Sequence, residues 1–424
     1  MMKWLELPFN RVAEVVTGNT PPRTEKESYS SAGIPWVKPP DLDSDEPITR
    51  TAEYLSDTGK LKARILPKGS VMVCCIGTIG KVGIAGCEVA TNQQINSLIF
   101  NKMVDPKYGY YYCKANNFLF QSVAPKAVVP ILKKSIFEKI KITLPPPSEQ
   151  RRIVEILDQA DEIRKLRKQA DEKAEKIIPA LFYKMFGDPI ELMKGDNSLA
   201  LSEFNIEFQN GFACGEKDIV DGTPHLRMNN IDDLGILNLD LVRTVPNSFD
   251  KERYRLNNGD VLFMSTNSDD KIGKSCVFNI EEDRHFLFSN HLIRLRIFDD
   301  RISPEYLSTY LHLLWAKRFY PSIAKRWVNQ STISLQNLKN IKVYVPFKEK
   351  LNKLTDAIKN LNDNRKFRNN SLSVINSLFN NLLSKAFDGS LTSSWREAHM
   401  NELLKEMEEQ KKIFGTGKIN GRRE

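Results

Sequence analysis

The chain has 424 residues, of which 41% are hydrophobic and 27% charged, and it carries a net charge of +9. That length allows two to four domains, and the composition suits globular protein with a sizeable core. No stretch approaches the roughly 20 apolar residues of a membrane span. Glu6 and Asn10 interrupt the N-terminal MMKWLELPFN, which does not read as a signal peptide, so a cytoplasmic protein is expected.

Predicted elements in chain order begin with short strands at 70–76 and 97–100 and a helix over 107–121. Pro145-Pro146-Pro147 then announces a long helix, 148–186. Its apolar positions, Ile153, Ile156, Ala160, Ile163, Ala170, Ala174, Ile177, Leu181 and Met185, step by three and four as in a coiled-coil seam. Arg167 interrupts that seam, and Pro179 should kink the helix or end its regular part. Strands return at 260–264 and 292–298, with a helix over 304–320. A second long helix, 348–390, carries Leu351, Leu354, Ile358, Leu361, Leu372, Ile375, Phe379, Leu382 and Ala386, with Arg365 and Arg368 midway. Residues 391–424 form a polar tail, helical near 396–412 and frayed beyond.

These elements form a duplication. KITLPPPSEQRRIVEIL (141–157) resembles KVYVPFKEKLNKLTDAI (342–358), and each following helix ends in Lys-x-Phe, at Phe186 and Phe387. LPKGSVMVCCIGTIGKVGIA (66–85) pairs with LNNGDVLFMSTNSDDKIGKS (256–275), equating Lys81 with Lys271, and TNQQINSLIF (91–100) pairs with SNHLIRLRIF (289–298). A period near 200 is too long for a solenoid and means two domains, each followed by a helix. The expected organisation is α+β: a first domain at 1–147, a helix at 148–186, a second domain at 187–347, a helix at 348–390 and the tail. Small twisted sheets are expected in each domain, with the helices forming an antiparallel coiled coil.

Catalytic chemistry is not legible. Lys38-Pro39-Pro40-Asp41 fails the amino-methyltransferase motif at both ends. Gly273-Lys274-Ser275 imitates the end of a phosphate-binding loop, but Ser268 stands where its first glycine should be. The six cysteines include no CxxC pair and the five histidines are scattered, so neither a metal site nor a disulfide is expected. A non-enzyme that binds no cofactor is the reading.

Charge points to nucleic acid, unevenly: residues 1–147 are net +6, 148–186 net +1, 187–347 net −3 and 348–424 net +5. Polar loops in both copies carry the residue types that read bases, Asn and Gln for adenine, Arg and Lys for guanine. In the first domain these are Thr20, Arg23, Lys38, Thr78, Lys81, Asn92, Gln93 and Lys126. In the second they are His225, Arg227, Asn229, Asn230, Thr266, Asn267, Lys271, Lys325, Arg326, Asn329 and Gln330. The same residue types also fill ordinary turns.

VVTGNTPP with GIPWVKPPDL, LPPPSEQRRIVEILDQAD ending in ALFYKMFGD, and the closing LLSKAFDGSLTSSWREAH together resemble the specificity subunit of Type I restriction–modification systems. The second helix departs from that pattern, beginning PFKEKLNKL. The resemblance implies two target-recognition domains, each reading half of a bipartite site in double-stranded DNA, with the helices acting as a ruler for the unread gap. It implies docking to two methyltransferase subunits, with two restriction subunits joining. S-adenosylmethionine, ATP and Mg2+ would belong to those partners. Partner docking and the coiled coil would use Ile153, Ile156, Ala160, Ile163, Leu354, Ile358, Leu361, Leu372 and Ile375. A coiled-coil scaffold that reads no DNA sequence is the alternative.

Overall fold

The computed structural model describes residues 4–44, 46–125, 128–216, 218–247, 251–280, 284–328 and 330–415, without the side chains of Lys251, Lys366 and Asn369. The chain divides into two compact units, Met1–Lys168 with Ser371–Glu424, and Gln169–Asn370. The division cuts both long helices, so each unit holds one domain, the start of the helix that follows it and the end of the other helix. Among the described residues no helix is long and apolar enough to cross a membrane.

In the first unit, a four-stranded antiparallel sheet runs Ala13–Thr17, Ile95–Phe100, Val71–Cys74, Val82–Ile84. Every residue of Val71–Cys74 is buried, because successive side chains serve two cores. Val71 and Val73 pack with Tyr108 and Phe120, whereas Met72 and Cys74 pack with Val37, Leu42 and Val89. A second sheet runs Tyr29–Ser30, Tyr54–Leu55, Ile34–Val37, Val89–Thr91, Ile65–Leu66, with one parallel contact between Ile34–Val37 and Val89–Thr91. Leu5–Pro8 pairs with Lys141–Leu144 and closes the domain at the root of the long helix. The helix Pro106–Ala115 starts where Asp105 accepts from the backbone of Lys107 and Tyr108 and Pro106 presets the first turn.

The second unit repeats this build. Its sheet runs Ile206–Asn210, Leu292–Ile297, Val261–Met264, Ser275–Val277. Val261 and Phe263 face one core, Leu262 and Met264 another. Thr223–Leu226 lies parallel to Leu287–Phe288 and antiparallel to Arg243–Val245. Helix Pro304–Ala316 is capped by Ser303.

Superposed pairing corrects two registers. Ile95 faces Cys74 and Leu292 faces Met264, so Ile95 corresponds to Leu292 and the offset is 197 rather than the expected 198. Lys81 does not correspond to Lys271. The Lys81 carbonyl accepts from Cys74 N and the Lys274 carbonyl from Met264 N, so Lys274 is its counterpart and the loop before it is three residues longer. Gly18 and Gly211 were not paired by sequence, yet each donates its N–H to the strand, Ile95 O at 3.1 Å and Leu292 O at 3.2 Å. A Cβ at either would collide with a backbone carbonyl, of Asn92 or of Ser289.

The first long helix spans Pro147–Glu175 and restarts as Ile177–Met185, the break falling at Lys176. Pro179 has no N–H to give the Glu175 carbonyl, which accounts for the break. The second is continuous over Lys348–Asp388. The buried positions of Pro147–Glu175 are Glu149, Gln150, Ile153, Val154, Leu157 and Asp161, a 3.6-residue stripe facing the domain and not a heptad seam. Within each unit the helix segments run antiparallel. In the first, Arg164 lies 4.9 Å over Phe379, while Glu149, nearer the start of its helix, meets Arg396 beyond the end of the second helix. In the second, Lys350 reaches Met185 O at 3.1 Å and Arg368 lies 3.8 Å from Asp171.

The tail is a docked element. Ser393–Ala398 and Met400–Gly415 are helices, and Glu406 accepts from Ser148 N at 2.9 Å, capping the first long helix. Glu149, fully buried, accepts from Trp4 (3.0 Å), Thr392 (2.7 Å) and Arg396 (2.7 Å). Gln150 bonds Met103 O and Pro145 O. The second helix has Lys350 and Leu351 at these positions, which explains its departure from the PPPSEQ pattern.

Candidate nucleic-acid interface

The second domain gathers several expected DNA-contacting residues into one small sheet. Thr266–Asn267 pairs with Ser331–Thr332, which pairs with Lys325–Arg326. Thr266 and Asn267, about sixty residues away in sequence, thus stand two strands from Lys325 and Arg326. Trp327 N donates to Gln330 O at 2.7 Å and closes the hairpin. Lys325 lies 4.5 Å over the exposed Trp327 ring, Arg326 sits 3.3 Å from Asp269, and Val328 projects into solvent. Gln330 is exposed next to the hairpin tip, Lys271 is exposed two residues after Asp269, and Asn329 lies outside the described residues. Basic side chains flanking an exposed aromatic on a hairpin suit contact with phosphate and base together.

In the first domain the matching place is the loop Gly77–Lys81. Gly77 N donates to Pro130 O at 3.1 Å, and Ile76 bridges Ile131. Thr78 is exposed there, and Lys81 lies 3.7 Å from Asp43. Thr78 and Lys81 share a cavity of about 500 Å³ with Gly80, Asn117, Gln121 and Pro130. Val128 and Val129 are exposed beside it, and Lys126 lies outside the described residues.

Three expected contacts are structural instead. His225 is 1% exposed, packed 4.7 Å from the Phe212 ring, and burial with the Arg227 charge pushes its pKa down to about 4, so it is a neutral core residue. Asn230 is 1% exposed; it accepts from Arg227 N and donates to Asn238 O and Leu241 O. Asn92 is buried and spends its amide on Gln94. Short polar side chains bond their own turns when buried, and that signal is the same in sequence as one aimed at a base.

The others are placed as follows. Thr20 donates to Gln93 at the surface. Arg23 pairs with Glu53 at 2.9 Å and lies over Tyr29 and Trp36; Lys38 pairs with the same Glu53. Asn229 is exposed beside Leu241 O, and Arg227 is half-buried. Glu53 and Arg243 went unremarked in sequence, because cross-strand pairing alone brings them to Lys38 and Arg227. The phosphate-loop imitation is structural: Lys274 pairs with Asp233 and is almost buried, and Ser275 donates to Ser308 O at 2.9 Å.

On the helices, Ile153, Leu354 and Ile358 are buried in the domain cores and cannot meet a partner. Ile156, Ala160, Leu361, Leu372 and Ile375 are half-buried. Ile163 is 58% exposed, and in the same unit Leu166, Val374 and Leu378 are exposed too. Among the described residues no group of His, Cys, Asp and Glu could hold a metal ion, and all six cysteines are free thiols.

Comparison with known proteins matches residues 2–176 to the family described as the Type I restriction modification DNA specificity domain. The Type I restriction enzyme MjaIX specificity subunit of Methanocaldococcus jannaschii is 30% identical over 215 residues, 49% of this chain and 49% of that one. The match thus spans about half the length of that relative. The EcoKI specificity subunit of Escherichia coli is 21% identical over 422 residues, covering 93% of this chain and 90% of its own. The fold resembles the crystal structure of the S subunit from M. genitalium, with a TM-score of 0.55 at 16% identity over 91% of this chain and 96% of that one.

Proposed function

We propose that this chain, whose residues 2–176 match the Type I restriction modification DNA specificity domain, is the sequence-reading subunit of such a complex and recognises a bipartite site in double-stranded DNA, one half per domain. The observation that carries this is the basic, aromatic-tipped hairpin Lys325–Thr332 beside Thr266–Asn267, together with the loop Gly77–Lys81 at the same place in the first domain. Two copies of one fold with different residues at one surface suit two different half-sites. A bare scaffold would leave these exposed polar loops without a role.

Catalysis is assigned to partners. Two methyltransferase subunits would supply S-adenosylmethionine chemistry, and two restriction subunits would supply ATP- and Mg2+-dependent steps. The exposed Ile163, Leu166, Val374 and Leu378 on the paired helices of the first unit are the proposed methyltransferase contact, since apolar side chains on a solvated helix face mark protein interfaces.

The test is co-purification with the methyltransferase subunit of the same host, followed by mapping of methylated adenines in host DNA. A bipartite motif with a fixed unread gap, seen only with both proteins, is the expected result. A complex that binds DNA without sequence preference and methylates nothing would establish the scaffold reading instead.

A further inference from the structure

One position carries opposite charge in the two domains. Lys38 and Arg227 occupy equivalent places: each is extended, precedes a one-turn helix (Pro39–Asp41 or Met228–Asn230), and gives its N–H to the side chain three residues on, Asp41 or Asn230, at 2.8 Å. The strand before each pairs antiparallel with a neighbour. Pro35 faces Tyr54, and Trp36 N donates to Glu53 O at 3.1 Å; Pro224 faces Thr244, and His225 faces Arg243. Glu53 and Arg243 are therefore counterparts.

The consequences differ. In the first domain Glu53 binds both Lys38 and Arg23, and the two cations lie over Trp36, so the charge is closed internally. Those hydrogen bonds, Lys38 first, hold the Glu53 carboxyl below its ordinary range. In the second domain two guanidinium groups share one face of the sheet. Arg227 has no ion-pair or side-chain hydrogen-bond partner among the described residues, and its Nε is a buried donor left unmade. Among the described residues Arg243 pairs with Asp218 alone, at 4.0 Å, with its own side chain 41% exposed. Burial, then the like charge of Arg243, draws Arg227 below the usual arginine range.

We infer that Arg227 and Arg243 form an open cationic pair that takes paired acceptors of DNA, the O6/N7 edge of a guanine or the oxygens of a phosphodiester, within the half-site of the second domain. The first domain holds the same position closed with Glu53. A half-buried guanidinium without an acceptor, beside a second whose carboxylate lies 4.0 Å away, is stabilised by an acceptor from outside, and guanidinium suits both kinds bidentately. The inference rests on the reading of the second domain as a DNA reader.

R243E tests it, because glutamate there would close on Arg227 as Glu53 closes on Lys38, leaving the fold intact. R243Q removes the charge without adding an acid and serves if R243E fails to fold. Each is purified with the methyltransferase subunit and assayed for binding to random-sequence duplexes, for salt dependence, and for the methylated motif in host DNA. The expected result is a loss of affinity of roughly tenfold or more. With guanine as the acceptor, one base position in one half-site relaxes and the other half-site is unchanged. With phosphate, the motif is kept and the slope of log K against log salt falls by about one. A wild-type complex with a bipartite motif, together with R243E and R243Q variants unchanged in affinity, slope and motif, overturns the inference and leaves DNA reading standing. A wild-type complex without sequence preference overturns both.

Discussion

Phe186, near the end of the first long helix, meets Tyr306 of the second domain edge-on, with ring centroids 5.5 Å apart. Phe387 stands in the same relation to Tyr108 of the first domain at 5.5 Å, and to Tyr112 at 5.3 Å. Each domain is thus completed by the helix that follows the other domain, and the two Lys-x-Phe endings are packing anchors. Each tyrosine that receives them is tied down in turn, Tyr306 to Tyr344 O and Tyr108 to Thr143 O.

Removing one anchor should weaken one unit selectively. F387A is expected to cost about 2–4 kcal/mol. Hydrogen exchange should then lose protection in Pro106–Ala115 and keep it in Pro304–Ala316. F186A should reverse that pattern. Equal loss in both helices from either variant would show that the anchors are not local.

Arg396 neutralises a carboxylate with no access to water, that of Glu149. R396M leaves that charge with only neutral donors from Trp4 and Thr392, and should destabilise the first unit by about 3–5 kcal/mol. The double variant E149Q/R396M should recover part of the loss in a denaturant titration. No recovery would mean that packing, not charge, is what Arg396 contributes.

Acid should unfold the second unit first. Burial holds both His225 and His312 down to about 4, below the ordinary 6.5. The unfolded chain therefore binds their protons earlier as pH falls, so this stability is complete above about pH 6.5 and is lost down to about pH 4. At ~1.4 kcal/mol per unit, each contributes at most about 3 kcal/mol. H225L should flatten the fall in melting temperature between pH 6.5 and 4.5. An unchanged pH profile would remove His225 from the account.

The hairpin should carry phosphate contacts. K325A/R326A is expected to weaken binding to all duplexes alike and to lower the salt slope by about one per cation removed. W327A should weaken binding with little change in slope, because stacking releases no counterions. A K325A/R326A variant with wild-type slope would move the interface elsewhere.

The duplication, the two long helices, the break near Pro179 and the strands around Val71–Cys74 and Val261–Met264 were legible because hydrophobic period and proline chemistry act over a few neighbouring residues. Register was less so. A one-residue slip between Ile95 and Leu292 costs little in sequence similarity but turns every side chain to the other face, and only strand pairing settles it. Steps of three and four fit a helix–helix seam and a stripe facing a domain alike, and only the structure shows that the buried positions of Pro147–Glu175 face the domain.

By itself the sequence determined the elements and their repetition, because each local choice of Pro, Gly and apolar spacing has one cheap conformation. Tertiary structure alone decided which polar residues are free to act. His225 and Asn230 are consumed inside the fold, Glu53 closes one cationic pair, and Arg243 opens another. Those outcomes depend on which strand lies alongside, a long-range contact whose partner is chosen by the packing of the whole unit and not by its neighbours in the chain.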